Sequence, residues 1–308
     1  MRIGYPCINR SLACSSSRTF RLRNYSPERM LETAEGNLEC LEEILRWNLS
    51  QGIFFFRITS DLVPFASHPV CDVDWQRRLE PRLARIGRFV RRHGMRVAMH
   101  PDQFTLINSR DPEIFERSAR ELVYHAEVLD LMNARLDAKI QIHVGGVYGD
   151  KPGSLERFAR RFRELPVKVR RRLAIENDDR SYTLGDCLKL NRRTGVPVLL
   201  DVFHHRLNSS GEAPGEALAL AANTWGRRDG PPIVDYSEQQ RGAARGKHAG
   251  SISRAGFRRF LRDSAPRDCD IMLEIKDKEK SALRALSAAR GDPRLVAGAA
   301  ATRRRTAG

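Results

Sequence analysis

Short apolar runs alternate along the chain with longer amphipathic stretches. The runs are Ile3-Gly4-Tyr5, 53–58, 97–99, 140–144, 173–175, 196–202, Ile233-Val234 and 271–275. Several are continuously apolar, the pattern of parallel strands covered on both faces. Between them apolar residues recur at steps of three and four. Leu31, Ala34, Leu38, Leu41 and Leu45 do so behind Ser26-Pro27, an N-cap followed by a first-turn proline. Phe115, Ala119, Leu122, Ala126 and Leu129 follow Asp111-Pro112 in the same way, and Leu79, Leu83, Ile86 and Val90 mark a basic helix over 75–92. Further helical patterns lie near 153–165, 183–192, 212–224, 254–263 and 278–290. These eight strand–helix alternations predict a single (β/α)8 TIM barrel, with a doubly wound open sheet as the competing arrangement. No linker divides the chain. Residues 1–290 are therefore read as one barrel domain, and 291–308 as a flexible basic tail whose Arg303-Arg304-Arg305 adds a weak contact to polyanions.

The polar residues that end the strands carry the chemistry. The third to eighth strands end in His100, His143, Glu176, Asp201, Asp235 and Glu274. His204 follows Asp201 by three positions, and His248 lies beyond the seventh strand. In a parallel barrel all C-terminal strand ends meet on one face. Carboxylates gathered there repel one another or take up protons unless cations neutralise them. Imidazole mixed with carboxylate suits zinc, manganese or iron, whereas an all-oxygen shell favours magnesium or calcium. The pattern predicts a multi-metal site. Bridged ions lower the pKa of a bound water, hold a phosphate and stabilise a leaving oxygen. Glu176, central in the strand order, is expected to bridge two ions. Asp201 is expected to do the same, with His204 serving a third.

Charge narrows the partner. Lys and Arg number 54 against 38 Asp and Glu, a formal charge of +16, which attracts polyanions. The six cysteines form no CxxC pair, so reduced thiols and an intracellular, cytoplasmic protein are expected. No apolar segment has the length of a signal-peptide core or of the ~20 residues that span a bilayer, so no membrane association is expected.

The short motifs, in their order, resemble those of the UV-damage endonucleases. They are Arg2 to Pro6 with Asn9, Phe56 to Ser60, Leu62 to Pro69, His100 to Phe104, Ile142 to Gly146, Ile175 to Asp178, Leu200 to His205, Val234 to Ser237, Lys247 to Ala249 and Leu273 to Glu279. The resemblance implies a barrel related to the endonuclease IV type of apurinic endonucleases. It implies two or three divalent ions, usually manganese, with zinc, cobalt or magnesium as alternatives. It implies a monomer that nicks double-stranded DNA immediately 5′ to cyclobutane dimers and 6-4 photoproducts, leaving 3′-hydroxyl and 5′-phosphate ends. Ligands implied by match of position are His100, His143, Glu176, Asp201, His204, Asp235, His248 and Glu274, with His68 as a further histidine near the site. Glu176, Asp201 and Glu274 are the implied catalytic carboxylates. Gln103 and Phe104 match a pair that probes the damaged duplex, and Tyr5 and Asn9 match positions lining the lesion pocket.

Two positions depart from the family. Phe104 stands where a tyrosine is usual, which keeps an apolar wedge and loses a hydroxyl. Many members carry a metal-ligating carboxylated lysine two residues before the position of Asp235. Here that residue is Ile233, so a carbamate ligand is excluded there. A third ion is left to Asp235, His204 and His248, held more weakly, or is absent. Three other readings compete: an apurinic-site nuclease, a metal-dependent sugar isomerase on the same kind of barrel, and a non-catalytic damage-binding protein. The basic charge and Gln103-Phe104 favour the nuclease over the isomerase, and the nearly complete ligand set disfavours a mere binder.

Overall fold

Eight four-residue strands carry the apolar runs: β1 (Ile3–Pro6), β2 (Phe55–Ile58), β3 (Arg96–Met99), β4 (Ile140–His143), β5 (Leu173–Glu176), β6 (Val198–Asp201), β7 (Ile233–Tyr236) and β8 (Asp270–Leu273). Each pairs in parallel with the next, and β8 pairs with β1. The result, in a computed structural model that describes residues 1–296, is a closed barrel and not an open doubly wound sheet. Strand alternation sorts the side chains into two cores. Tyr5, Phe56, Val97, Ile142, Ile175, Leu200, Val234 and Leu273 belong to the large core shared with the helices. Phe55, Ala98, Leu199, Ile233 and Met272 form a separate small cluster, the floor of the barrel interior. Gly4 shares that interior parity, and a Cβ there would lie 2.1 Å from the Phe55 carbonyl oxygen, so no side chain fits.

The helices are α1 (Pro27–Ser50), α2 (Trp75–Arg92), α3 (Pro112–Leu131), α4 (Lys151–Glu164), α5 (Val167–Arg170), α6 (Leu184–Thr194), α7 (Val202–Leu207), α8 (Pro214–Ala222), α9 (Arg254–Ser264) and α10 (Glu279–Ala288). Their starts follow local chemistry. The Ser26 side chain accepts from the Arg29 amide, Asp111 accepts from that of Glu113, and Thr183 and Asp186 form a reciprocal capping box. The basic face of α2 is not free for polyanions along its whole length. Arg82 and Arg85 pair with Glu39 and Glu42 on α1, Arg85 Nη2 lying 2.6 Å from Glu42.

Three expectations are corrected. The sixth strand stops at Asp201, because Asp201 caps a new short helix, α7, that begins at Val202. The segment read as tail from residue 291 is packed at first: Met1 N donates to the Arg294 carbonyl at 2.6 Å, and Val296 N donates to Met1 O at 2.9 Å. Arg294 also donates to the Leu261 and Arg267 carbonyls, while Arg303-Arg304-Arg305 lie outside the described residues. Finally, Cys14 and Cys40 form a disulfide with their Cα atoms 5.6 Å apart, against the expectation of six reduced thiols. This bond fastens the β1–α1 loop to α1. Among the described residues no helix is long and apolar enough to cross a membrane.

Candidate metal centre

The interior parity that puts Ile233 and Leu199 on the floor puts Asp235 and Asp201 two residues higher, at the C-terminal mouth. The pairing register sets Asp201 beside Asp235 and His143 beside Glu176. Two groups of donor atoms result, each with all members within 4.8 Å of one another: His100, His143 and Glu176, and Asp201, Asp235 and Glu274. Four imidazoles arc round the mouth. Ring centroids are 5.3 Å apart from His100 to His143, 6.2 Å from His143 to His204 and 6.0 Å from His204 to His248.

Three of these rings are oriented by backbone carbonyls. Nδ1 lies 2.6 Å from Pro101 O in His100, 3.2 Å from Asn177 O in His204 and 2.9 Å from Glu274 O in His248. A carbonyl only accepts, so each Nδ1 carries a proton and each Nε2 is the nitrogen left for another partner. His100 Nε2 lies 3.5 Å from Glu176 Oε1. His143 differs. Its Nδ1 is 2.8 Å from Glu176 Oε1, yet it is not aligned for a hydrogen bond.

Asp201 has a divided role. Oδ1 accepts from the His204 amide at 2.7 Å, capping α7 and fixing that histidine over the mouth. Oδ2 is buried without a hydrogen-bond partner, as is Asp235 Oδ1. Burial pushes the Asp201 carboxyl up to about 6, against the pull of His204. Burial raises Asp235 well above the carboxylate range despite the nearby Arg57. For Glu176, burial is outweighed by His143 and His100, which hold it well below that range, and Glu176 in turn lifts His143 to about 9. Buried carboxyls that drift toward neutrality, with unpartnered oxygens beside an unpartnered imidazole nitrogen, make a donor set that fits divalent cations.

Two members of the site escaped the sequence reading. Arg57, on β2, projects inward and donates to Asp235 Oδ2 at 2.9 Å through Nη1 and to Glu274 Oε1 through Nη2. Burial opposes the Glu274 charge, but Arg57 keeps that carboxyl well below its usual range. Gln141, on β4, donates to Asp235 Oδ2 at 2.6 Å and to Glu176 Oε2, bridging the two groups. Both residues have the interior parity of their strands, which is the one signal that points to them. Ile233 closes the floor beneath and offers no donor.

The remaining predicted residues lie elsewhere. Phe104 is 73% exposed at the tip of the β3–α3 loop. Asp102 holds it there: its Oδ1 accepts from Phe104 N at 2.7 Å, and its carbonyl accepts from Thr105 N at 3.1 Å. Gln103 is beside it and exposed. His68 does not join either donor group. It is exposed and lines a groove of about 400 Å³ with Asp102, Phe104 and Glu121, its Nδ1 accepting from Val70 N at 3.0 Å. Tyr5 and Asn9 are buried. Tyr5 has the outward parity of β1 and donates to Asn48 of α1 at 2.6 Å, while Asn9 donates to the Tyr5 oxygen at 2.8 Å. In this structure their polar atoms are joined in one buried chain from Asn9 through Tyr5 to Asn48.

The chain is similar to known proteins over nearly its whole length. Residues 1–293 match the family described as UV-endonuclease UvdE. The UV DNA damage endonuclease of Clostridium perfringens is 35% identical over 289 residues, covering 93% of this chain and 70% of its own length. That of Bacillus pumilus is 34% identical over 277 residues, covering 88% of this chain and 87% of its own. The crystal structure of SacUVDE is similar with a TM-score of 0.90 at 44% identity, covering 94% of this chain and 98% of that one. A D-psicose 3-epimerase from Clostridium cellulolyticum H10 shares the barrel alone, with a TM-score of 0.53 at 15% identity.

Proposed function

Because the chain belongs to the UvdE family of UV endonucleases, we propose that it nicks duplex DNA immediately 5′ to UV photoproducts, using two or three divalent ions. Cyclobutane dimers and 6-4 photoproducts are the lesions, and 3′-hydroxyl and 5′-phosphate ends the products. Manganese is the preferred ion. One observation carries the reading: buried Asp201 Oδ2, Asp235 Oδ1 and His143 Nδ1 make no hydrogen bond at a mouth on a chain of charge +16. Divalent ions would be held by His100, His143 and Glu176 on one side and Asp201, Asp235 and Glu274 on the other, with His204 and His248 alongside. Bound there, they supply an acidified water and a counter-charge for the scissile phosphate.

The chain's own residues do the rest. Arg57 keeps Glu274 and Asp235 in place and partly neutralised. Gln141 ties Glu176 to Asp235. Phe104 enters the stack at a distorted step, where unpairing is already partly complete, and Gln103 replaces lost base contacts. The test is an end-labelled duplex with a single cyclobutane dimer, assayed with manganese and with chelator beside an undamaged control. A single manganese-dependent nick directly 5′ to the dimer is expected. Cleavage of an abasic duplex in preference to the dimer would replace this reading with an apurinic-site nuclease.

A further inference from the structure

The lysines of this chain fall into two sets. Lys139, Lys151, Lys168 and Lys189 each pair with a carboxylate. Lys247, Lys276, Lys278 and Lys280 pair with none among the described residues. The first three of these line one cavity of about 540 Å³, walled also by Arg57, His248 and Glu274. The cavity opens at the barrel mouth between the ends of β1, β7 and β8. Arg57 and Glu274 satisfy each other there, so the lysines are the net charge. In TIM barrels the loops after the seventh and eighth strands often hold a phosphate.

Lys278 stands apart from the other two. Lys247 and Lys276 are exposed, whereas Lys278 is half-buried. Its backbone has φ 52° and ψ −115°, a conformation that favours glycine. The turn is closed by Lys278 N donating to Ile275 O at 3.1 Å. A strained, partly desolvated cation without a counter-ion is destabilising unless the side chain serves a ligand. Lys278 thus lines the cavity that adjoins Glu274 from a backbone position where glycine would fit with less cost.

We infer that this cavity is a phosphate subsite and that Lys278 is its principal ligand, gripping one backbone phosphodiester of bound DNA beside the metal centre. The inference rests on the nucleic-acid reading above, but not on which lesion is recognised. Lys247 and Lys276, at the rim, add attraction that is spread over several phosphates.

The test uses the full chain in chelator, binding an undamaged and a dimer-containing duplex over a range of salt. Lys278→Met should weaken binding to both about tenfold, the size of one charge-assisted hydrogen bond, and reduce the salt slope by about 1. Methylphosphonate is then placed at successive positions of the duplex. At one position the difference between wild type and Lys278→Met should vanish, and Lys278→Arg should restore part of it. Lys278→Gly should raise Tm while binding as weakly as Lys278→Met, an outcome that a merely structural lysine would not give. Equal salt slopes for wild type and Lys278→Met, or full binding by Lys278→Gly, would overturn the inference. Failure of the wild type to nick the dimer duplex would sink the functional reading instead, leaving the binding comparison on undamaged DNA to decide on Lys278.

Discussion

Arg57 reaches across the barrel interior from β2 and donates to Asp235 on β7 at 2.9 Å, a contact between residues 178 apart in sequence. Both side chains are buried, and Asp235 has no exposure at all. The pair places a permanent cation within a site rich in carboxylates. Its removal leaves Asp235 as an uncompensated buried acid. Arg57→Met is therefore expected to destabilise the metal-free protein by about 3–5 kcal/mol. Manganese should return part of that loss. Denaturant unfolding with chelator and with manganese checks this, and an unchanged midpoint in chelator would refute it.

Glu176 faces two imidazoles and Gln141 at once. As the proposed bridge between ions, it would serve the chemistry more than DNA contact. Glu176→Gln should abolish incision and leave damaged-duplex binding close to wild type. Near wild-type incision with manganese would remove Glu176 from the reaction.

Gln141 touches both donor groups without being an obvious ligand. Gln141→Leu keeps the volume and removes both hydrogen bonds. Metal affinity should fall roughly 10–100-fold, the usual effect of losing a group that orients ligands. Calorimetric titration with manganese is the measurement, and an unchanged affinity would show that the ligands orient themselves.

Phe104 stands exposed at the loop tip and belongs to neither donor group. Phe104→Ala together with Gln103→Ala should cut the preference for damaged over undamaged duplex by tenfold or more, since a base–aromatic stack is worth about 1–3 kcal/mol. Metal content should not change. Lost metal with discrimination intact would count against the loop as a probe.

The pH dependence follows from Asp201, which burial pushes from its ordinary value of 3.8 up to about 6. The metal-free fold thus favours the neutral acid. That stabilisation is fully present below the unfolded value and is lost as pH rises through about 6. Above that range the buried charge destabilises the metal-free state, and a bound cation offsets it. The manganese-induced rise in Tm should therefore grow between pH 5 and 7. A rise that is flat over this interval would mean that Asp201 does not hold the ion.

Much of the architecture is legible from local pattern. Each strand is a short apolar run, and each long helix announces itself by a cap such as Ser26 or Asp111. Terminal His, Asp and Glu on successive strands mark the mouth because parallel strands must end together. The α7 turn was hidden because Val202-Phe203 continues an apolar run, and nothing local shows that Asp201 turns back to cap it. Arg57 was hidden for the opposite reason: one charged residue in an apolar strand reads as an interruption until its partners are known.

The sequence by itself determined the order of the eight strands and of the long helices between them, the basic charge and the identity of the residues at the strand ends. Those depend on periodicity, on capping and on side-chain chemistry, which act over a few residues. Tertiary structure alone decided that Tyr5 and Asn9 pack against α1, that Cys14 meets Cys40, and that Arg57 and Gln141 bind the acids together. It also placed Ile233 on the floor beneath Asp235 and gathered three unpaired lysines beside Glu274. Such contacts join segments far apart in the chain, and closure of the barrel fixes the register and parity that bring them within bonding distance.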